Sequence, residues 1–129
     1  MQKYQAICTD LGYLTEAQAF YLDEIKFDYE LSRLTLKGEM KGEFCQPARP
    51  EQWLDYELSF SDISGFKFLD LDMTEEAPCE GFQEVLASDW LATMPGDSMD
   101  EQRHLIFVSN DDVIEVICHA FDLSWRIQE

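Results

Sequence analysis

The chain has 129 residues, with 27 Asp and Glu against 9 Lys and Arg, for a formal net charge of −18. This length fits one domain, 1–129, and a content of 46% hydrophobic and 13% aromatic residues is enough for a core, which excludes global disorder. The charge excludes direct binding to nucleic acid or anionic lipid, both of which require Lys and Arg, and admits a basic protein partner reached by fast, salt-sensitive association.

In chain order, the opening MQKYQAICTDLGY lacks the basic and then apolar regions of a secretory signal. The longest apolar runs, such as Leu105–Val108, are too short to span a bilayer, so a cytoplasmic location is expected. Residues 14–24, LTEAQAFYLDE, predict a short helix: Thr15 can cap it, Glu16 suits its positive end, and Ala17, Phe20 and Tyr21 share a face. From Glu24 the period becomes two. Ile25, Phe27, Tyr29 and Leu31 alternate with Lys26, Asp28 and Glu30, and Leu34 and Leu36 continue the pattern after a turn near Leu31–Ser32, which predicts a hairpin.

Pro47 and Pro50 can donate no ladder hydrogen bond, so 42–52 is a connection. Leu54, Tyr56, Leu58 and Phe60 resume the alternation, SDISG supplies turn chemistry, and FKFLDLD follows, which predicts a second hairpin. In residues 82–94, Phe82, Val85, Leu86, Trp90 and Met94 recur at spacings of three and four before Pro95-Gly96, which predicts a second helix. The last third contains RHLIFVS, then Asn110-Asp111-Asp112, then VIEVICHAF. The final run could form a helical stripe, but its Val and Ile content and the turn residues before it favour strands joined by a hairpin. The expected fold class is α+β: one domain with an antiparallel sheet of about six strands, built from hairpins, and one or two short helices.

Metal and nucleophile chemistry find little support. Cys8, Cys45, Cys79 and Cys118 are scattered without a CxxC, so they are expected to be free thiols, several of them in the core. On a strand, Cys118 and His119 point to opposite faces and cannot grip one ion together. His104 or His119 could meet Cys8, Cys45 or Cys79 in the fold, yet no local signature selects a pair. With 27 acidic residues, adjacent carboxylates such as Asp111-Asp112 arise by chance. Asp111 and Asp112 read as turn residues, Glu115 as a solvent-facing strand position or an edge charge, and Cys118 as core. No nucleophile elbow, phosphate loop, dinucleotide fingerprint or EF-hand loop is present. No catalytic, cofactor or metal site is therefore expected, and a small enzyme or ligand-binding domain using a Cys/His or carboxylate site is the rival reading.

One charge pattern stands out. Between Lys67 and Arg103 there is no Lys or Arg, while Asp70, Asp72, Glu75, Glu76, Glu80, Glu84, Asp89, Asp97, Asp100 and Glu101 fall in that interval. Such a field costs stability through self-repulsion, and Trp90 among the acids is an anchor of the type enriched at interface centres. Asp70, Asp72, Glu75, Glu76, Glu80, Glu84, Trp90, Asp97, Asp100 and Glu101 are the expected partner-binding residues.

In size, charge and this acidic interval the chain resembles the small acidic immunity proteins of bacterial toxin–immunity systems, including contact-dependent inhibition. It also resembles the DNA mimics and phage-encoded inhibitors whose carboxylates stand in for phosphates. The first resemblance implies an inhibitor of a cognate basic toxin, such as a nuclease; the second implies an inhibitor of a nucleic-acid-binding protein. Neither implies a cofactor or an oligomeric state.

Overall fold

Alternation of apolar and polar residues organises the chain into strands, and in the computed structural model these form two packed sheets. The structure describes residues 3–16, 19–45, 47–70, 79–94 and 102–128. Its elements are β1 (Lys3–Ala6), β2 (Cys8–Thr9), β3 (Gly12–Tyr13), β4 (Phe20–Asp28), β5 (Arg33–Lys41), β6 (Trp53–Ser61), β7 (Gly65–Asp70), β8 (Gly81–Leu86), α1 (Asp89–Ala92), β9 (Arg103–Val108), β10 (Asp112–Cys118) and β11 (Ala120–Ile127). One sheet has the order β1-β8-β9-β10-β7, the other β11-β6-β5-β4, and β2 pairs with β3 in a small ribbon. Every pairing is antiparallel. No helix among the described residues is long and apolar enough to cross a membrane.

The core lies between the two sheets. Leu34, Leu36 and Met40 of β5 and Leu54, Tyr56, Leu58 and Phe60 of β6 meet Phe82 of β8, Leu105 and Phe107 of β9, and Ile114, Val116 and Cys118 of β10. Phe107 is central: its ring lies 4.8 Å from Phe20, 6.0 Å from Tyr56 and 6.3 Å from Phe82. Burying side chains of this size stabilises the fold by roughly 1.5–3 kcal/mol each. A second, smaller cluster of Val85, Ile106, Val108 and Val113 covers the opposite face of the five-stranded sheet, with Tyr4 and Cys79 against it.

The α+β expectation, with about six strands in one sheet, is overturned by this nearly all-β arrangement. Of the helix expected over 14–24, Ala17 lies outside the described residues, and the stretch from Phe20 onward is strand β4, with the Phe20 ring packed inward against Tyr56 and Phe107. The helix expected over 82–94 is strand β8 followed by a helix of only four residues. The cause is legible in the burial. Phe82 faces the inter-sheet core while Val85 faces the second cluster. A strand buried on both faces loses its period of two, and its apolar spacing then mimics a helix.

The first expected hairpin forms, β4 with β5. The second does not: β6 pairs with β5 and β11, while β7 pairs with β10 in the other sheet. The turn residues Ser61–Gly65 thus carry the chain across the sandwich. The 113–127 run is likewise split at His119, with β10 in one sheet and β11 in the other.

Gly38 sets the geometry of edge strand β4. The β4–β5 register slips between Leu22 and Glu24, a bulge at Asp23, and the Tyr56 hydroxyl donates to the Tyr21 carbonyl at 3.0 Å. A Cβ on Gly38 would fall inside the Tyr21 carbonyl oxygen and within 2.9 Å of that hydroxyl. Only glycine lets the strands approach this closely.

Candidate functional site

Four of the ten expected partner-binding residues are described: Asp70, Glu80, Glu84 and Trp90. Asp72, Glu75, Glu76, Asp97, Asp100 and Glu101 lie outside the described residues. Asp70 ends edge strand β7, whereas Glu84 is on β8, with β9 and β10 between them. Three strand spacings separate them by roughly 14 Å across the sheet, and the register, which aligns Glu84 with Leu105, Val116 and Phe66, offsets Asp70 by a further four residues along it. Glu84 is engaged by Arg103 at 2.8 Å, and the Arg103 guanidinium also lies over the Phe121 ring at 5.6 Å. Glu80 is exposed just before β8. Trp90 is half-buried; it packs edge-on against His104 at 5.3 Å and carries the Lys67 ammonium over its face at 4.1 Å. The structure thus brings Trp90 to a histidine and a lysine, and separates Asp70 from Glu84.

That histidine is the centre of the most organised polar cluster among the described residues. His104 is 2% exposed on the outer face of β9. Its Nδ1 lies 2.6 Å from Ser88 Oγ and its Nε2 lies 2.8 Å from Glu115 Oε1. Ser88 follows β8 through Ala87, whose φ of +53° is costly for a residue with a Cβ, and its Oγ accepts the Leu91 amide at 2.9 Å as the N-cap of α1. With the Ser88 hydroxyl donating to Nδ1 and Nε2–H donating to Glu115, every group in the chain of bonds is satisfied. The hydrogen bond from His104 is the main influence holding the Glu115 carboxyl below its ordinary 4.5; partial burial pushes the other way, and the attraction of His104 and Lys67 adds to the lowering.

A serine, a histidine and a carboxylate in line are the parts of an acyl-transfer site. Beside them is an open depression of about 510 Å³ lined in part by Ser88, Leu91, Arg103 and His104. Here, however, the hydroxyl already caps a helix, Trp90 covers the ring, and His104 is nearly closed to solvent. The cluster joins α1 to the sheet through the Ser88–His104 hydrogen bond and the edge-on contact of Trp90 with His104.

The thiols of Cys45, Cys79 and Cys118 are poor nucleophiles. Burial pushes Cys79 and Cys118 up to about 12 and also raises Cys45, and all four cysteines are free. Cys118 is in the core as expected. His104 commits both nitrogens to Ser88 and Glu115 and meets no thiol. Glu115, expected to face solvent, is half-buried instead. Among the described residues, no group of three or more His, Cys, Asp or Glu is placed to hold a metal ion.

The carboxylates at the β9–β10 turn are crowded. Asp111 and Asp112 fall at this hairpin as expected, and Asp112 sits directly across from Asp70 of β7. Partial burial first, then repulsion from Asp111 and Asp70, raises the Asp112 carboxyl above its ordinary 3.8. A carboxyl raised on folding makes the folded state less stable once it ionises, so this penalty appears as pH rises through that window and is complete at neutral pH. Asp112→Asn is therefore expected to raise stability at neutral pH, by less than about 1 kcal/mol because solvent screens the cluster. Urea unfolding at neutral pH and at a pH below the ordinary 3.8 checks this: the gain should vanish at the lower pH.

The Ser88–His104–Glu115 cluster is missing from the sequence-based expectations, although part of it was derivable. Once Asn110–Asp112 is the turn of a hairpin, alternation puts His104 and Glu115 on one face, and the observed register, His104 opposite Ile117 and Glu115 opposite Ile106, makes them diagonal neighbours. Ser88 was hidden by the helix expected over 82–94. Comparison of the chain with protein-family models, with curated proteins and with solved structures returns no match.

Proposed function

We propose that the chain is an acidic binding protein of the immunity type, which occupies a basic surface of a partner protein and neutralises it. The observation that carries this reading is the charge imbalance. Nine cations face 27 carboxylates. Several of the cations are already engaged: Lys37, Arg103 and Arg126 pair with Glu57, Glu84 and Asp55, while Lys41, Arg49 and Lys67 lie over aromatic rings. The surface field is strongly negative, and holding it together costs stability, a penalty that binding a basic partner relieves. The acidic interval 70–101 contributes to this field, with Glu84 offset by Arg103. Calorimetry with the purified product of the neighbouring gene tests the reading. It predicts a stoichiometric complex that weakens as salt rises; no complex, or one indifferent to salt, contradicts it.

One observation favours a second reading, a small hydrolase: the continuous Ser88–His104–Glu115 hydrogen bonding beside an open depression. Treatment with a fluorophosphonate, which labels activated serines, separates the two. The binding reading predicts no labelling; labelling of Ser88 that is lost in Ser88→Ala would favour the hydrolase.

A further inference from the structure

The two sheets do not close over each other along one side. There β4, the edge of the four-stranded sheet, comes beside β7, the edge of the five-stranded sheet, and the Phe27 and Phe66 rings meet across the gap at 5.1 Å. Among the described residues, each of these strands is hydrogen-bonded to a neighbouring strand on one side only. Ile25 and Phe27 share the inward face of β4 with Phe20, and Phe66 and Phe68 share the inward face of β7. No described residue seals that face at the edge, and Ile25, Phe27, Phe66 and Phe68 are 41, 39, 39 and 47% exposed. Tyr29, in the β4–β5 turn and in edge-on contact with Phe27, is 87% exposed and extends the strip.

The strip has a polarity. Val116, opposite Phe66, and Asp112, opposite Asp70, place the acidic β9–β10 turn beyond Phe68. On the other sheet, β4 runs back from Phe27 through Ile25 to the Asp23 bulge, and the Asn110 amide donates to the Phe20 carbonyl at 3.0 Å, fixing that turn beside the start of β4. Asp112 is the carboxylate at this end of the strip, whereas Asp23 borders a depression with Lys37 and Glu57 of the four-stranded sheet. The apolar strip therefore runs into carboxylates at one end. The cations of both strands are elsewhere: Lys26 is opposite Thr35 on the outer face, and Lys67 is over Trp90.

We propose that this strip along β4 and β7 docks an extended segment of a basic partner protein, whose bulky apolar side chains cover Ile25, Phe27, Phe66 and Phe68 and whose Lys or Arg side chains meet Asp112 at the β9–β10 turn. The inference rests on the binding reading above and supplies the surface through which it would act. Exposed sheet edges are templates for strand addition, in which main-chain bonds give affinity and side-chain contacts give specificity. A second copy of this chain is the poorer occupant, because it would bring another charge of −18 against the same carboxylates. Charge complementarity selects a cationic segment. Tyr29 at the exposed turn supplies an aromatic anchor of the sort that dominates interface energetics.

The test uses the full chain and three short synthetic peptides: one alternating Lys with Phe and Ile, one with Glu in place of its Lys, and one with Ser in place of its Phe and Ile. Binding is followed by fluorescence anisotropy, and its place by amide NMR shifts. The expected result is that the Lys–Phe/Ile peptide shifts β4 and β7 amides and binds at least about tenfold more tightly than either control. Ile25→Ser and Phe68→Ser, half-exposed positions whose fold is checked by near-ultraviolet circular dichroism, should each weaken it several-fold, and Asp112→Asn should weaken it without loss of stability. Equal binding of the Lys–Ser peptide, with shifts spread over the surface, would overturn the strip and leave the acidic-surface reading standing. Equal binding of the Glu peptide would remove the role of charge. No binding of either Lys peptide would contradict both. A stable dimer in sedimentation that occludes β4 and β7 would assign the strip to a second copy.

Discussion

Gly38→Ala is expected to destabilise the protein by about 3 kcal/mol or more, the scale of substitutions that force backbone apart or strand a buried polar group. The added Cβ collides with the Tyr21 carbonyl, which is main chain and cannot swing aside. Relief requires β4 to move off β5, and the Tyr56 hydroxyl, whose ring is 3% exposed, then loses its acceptor at Tyr21. Urea unfolding measures the loss, and hydrogen exchange should place the first opening in β4. A change below about 1 kcal/mol would mean that β4 does not sit against Gly38 in this register.

His104→Ala is the second large effect, about 2–4 kcal/mol, because it removes a buried ring and strands two partners. Trp90 loses the surface it packs against, and the Glu115 carboxylate loses the donor that stabilises it. Ser88→Ala should cost about 1–3 kcal/mol, because it removes the N-cap and leaves the buried Nδ1 of His104 without its partner. The carboxylate gives the effect a pH signature. Glu115 titrates below its ordinary 4.5 in the folded protein, so its contribution is complete above that value and is lost as pH falls through the lower folded one. The stability gap between the native chain and Glu115→Gln should therefore be widest near neutral pH and shrink in acid. A gap that held or widened in acid would contradict the role assigned to the His104–Glu115 bond.

Strands with one face toward the core were legible in the sequence. Leu34, Leu36, Leu54, Tyr56, Leu58 and Phe60 alternate cleanly, and each is buried between the sheets. The Asn110–Asp112 turn was legible for the same reason, since β-branched runs on either side of turn residues leave few alternatives. What alternation could not supply was partner choice. The β6–β7 connection has good turn chemistry, yet the chain uses it to change sheets, because β7 finds its apolar complement in β10. A local signal cannot distinguish a hairpin from a crossover when both need the same turn residues. Strand β8 was hidden by burial on both faces, and with it went Ser88 and the geometry around His104.

The acidic character was visible from composition, but its arrangement was not. Glu84 and Trp90 read as exposed interface residues, whereas Glu84 is tied to Arg103 and Trp90 roofs His104. Conversely, Ile25 and Phe27 read as the apolar side of an alternating strand, and the meeting of two edge strands leaves them, with Phe66 and Phe68, half-exposed. Edge position is a property of strand order. Asp112 connects the two themes: it is crowded by Asp111 and Asp70 at a stability cost, and it lies at the end of the apolar strip. A residue that weakens the free protein while facing a candidate docking surface fits the trade between stability and function.

The most direct test of the binding account is the rate at which the chain associates with the product of its neighbouring gene, measured by stopped-flow fluorescence across a series of salt concentrations. Electrostatic steering by a net charge of −18 predicts fast association that slows by about tenfold or more from low to high salt, with a dissociation rate that changes far less. An association rate that stays flat across the series would contradict the account.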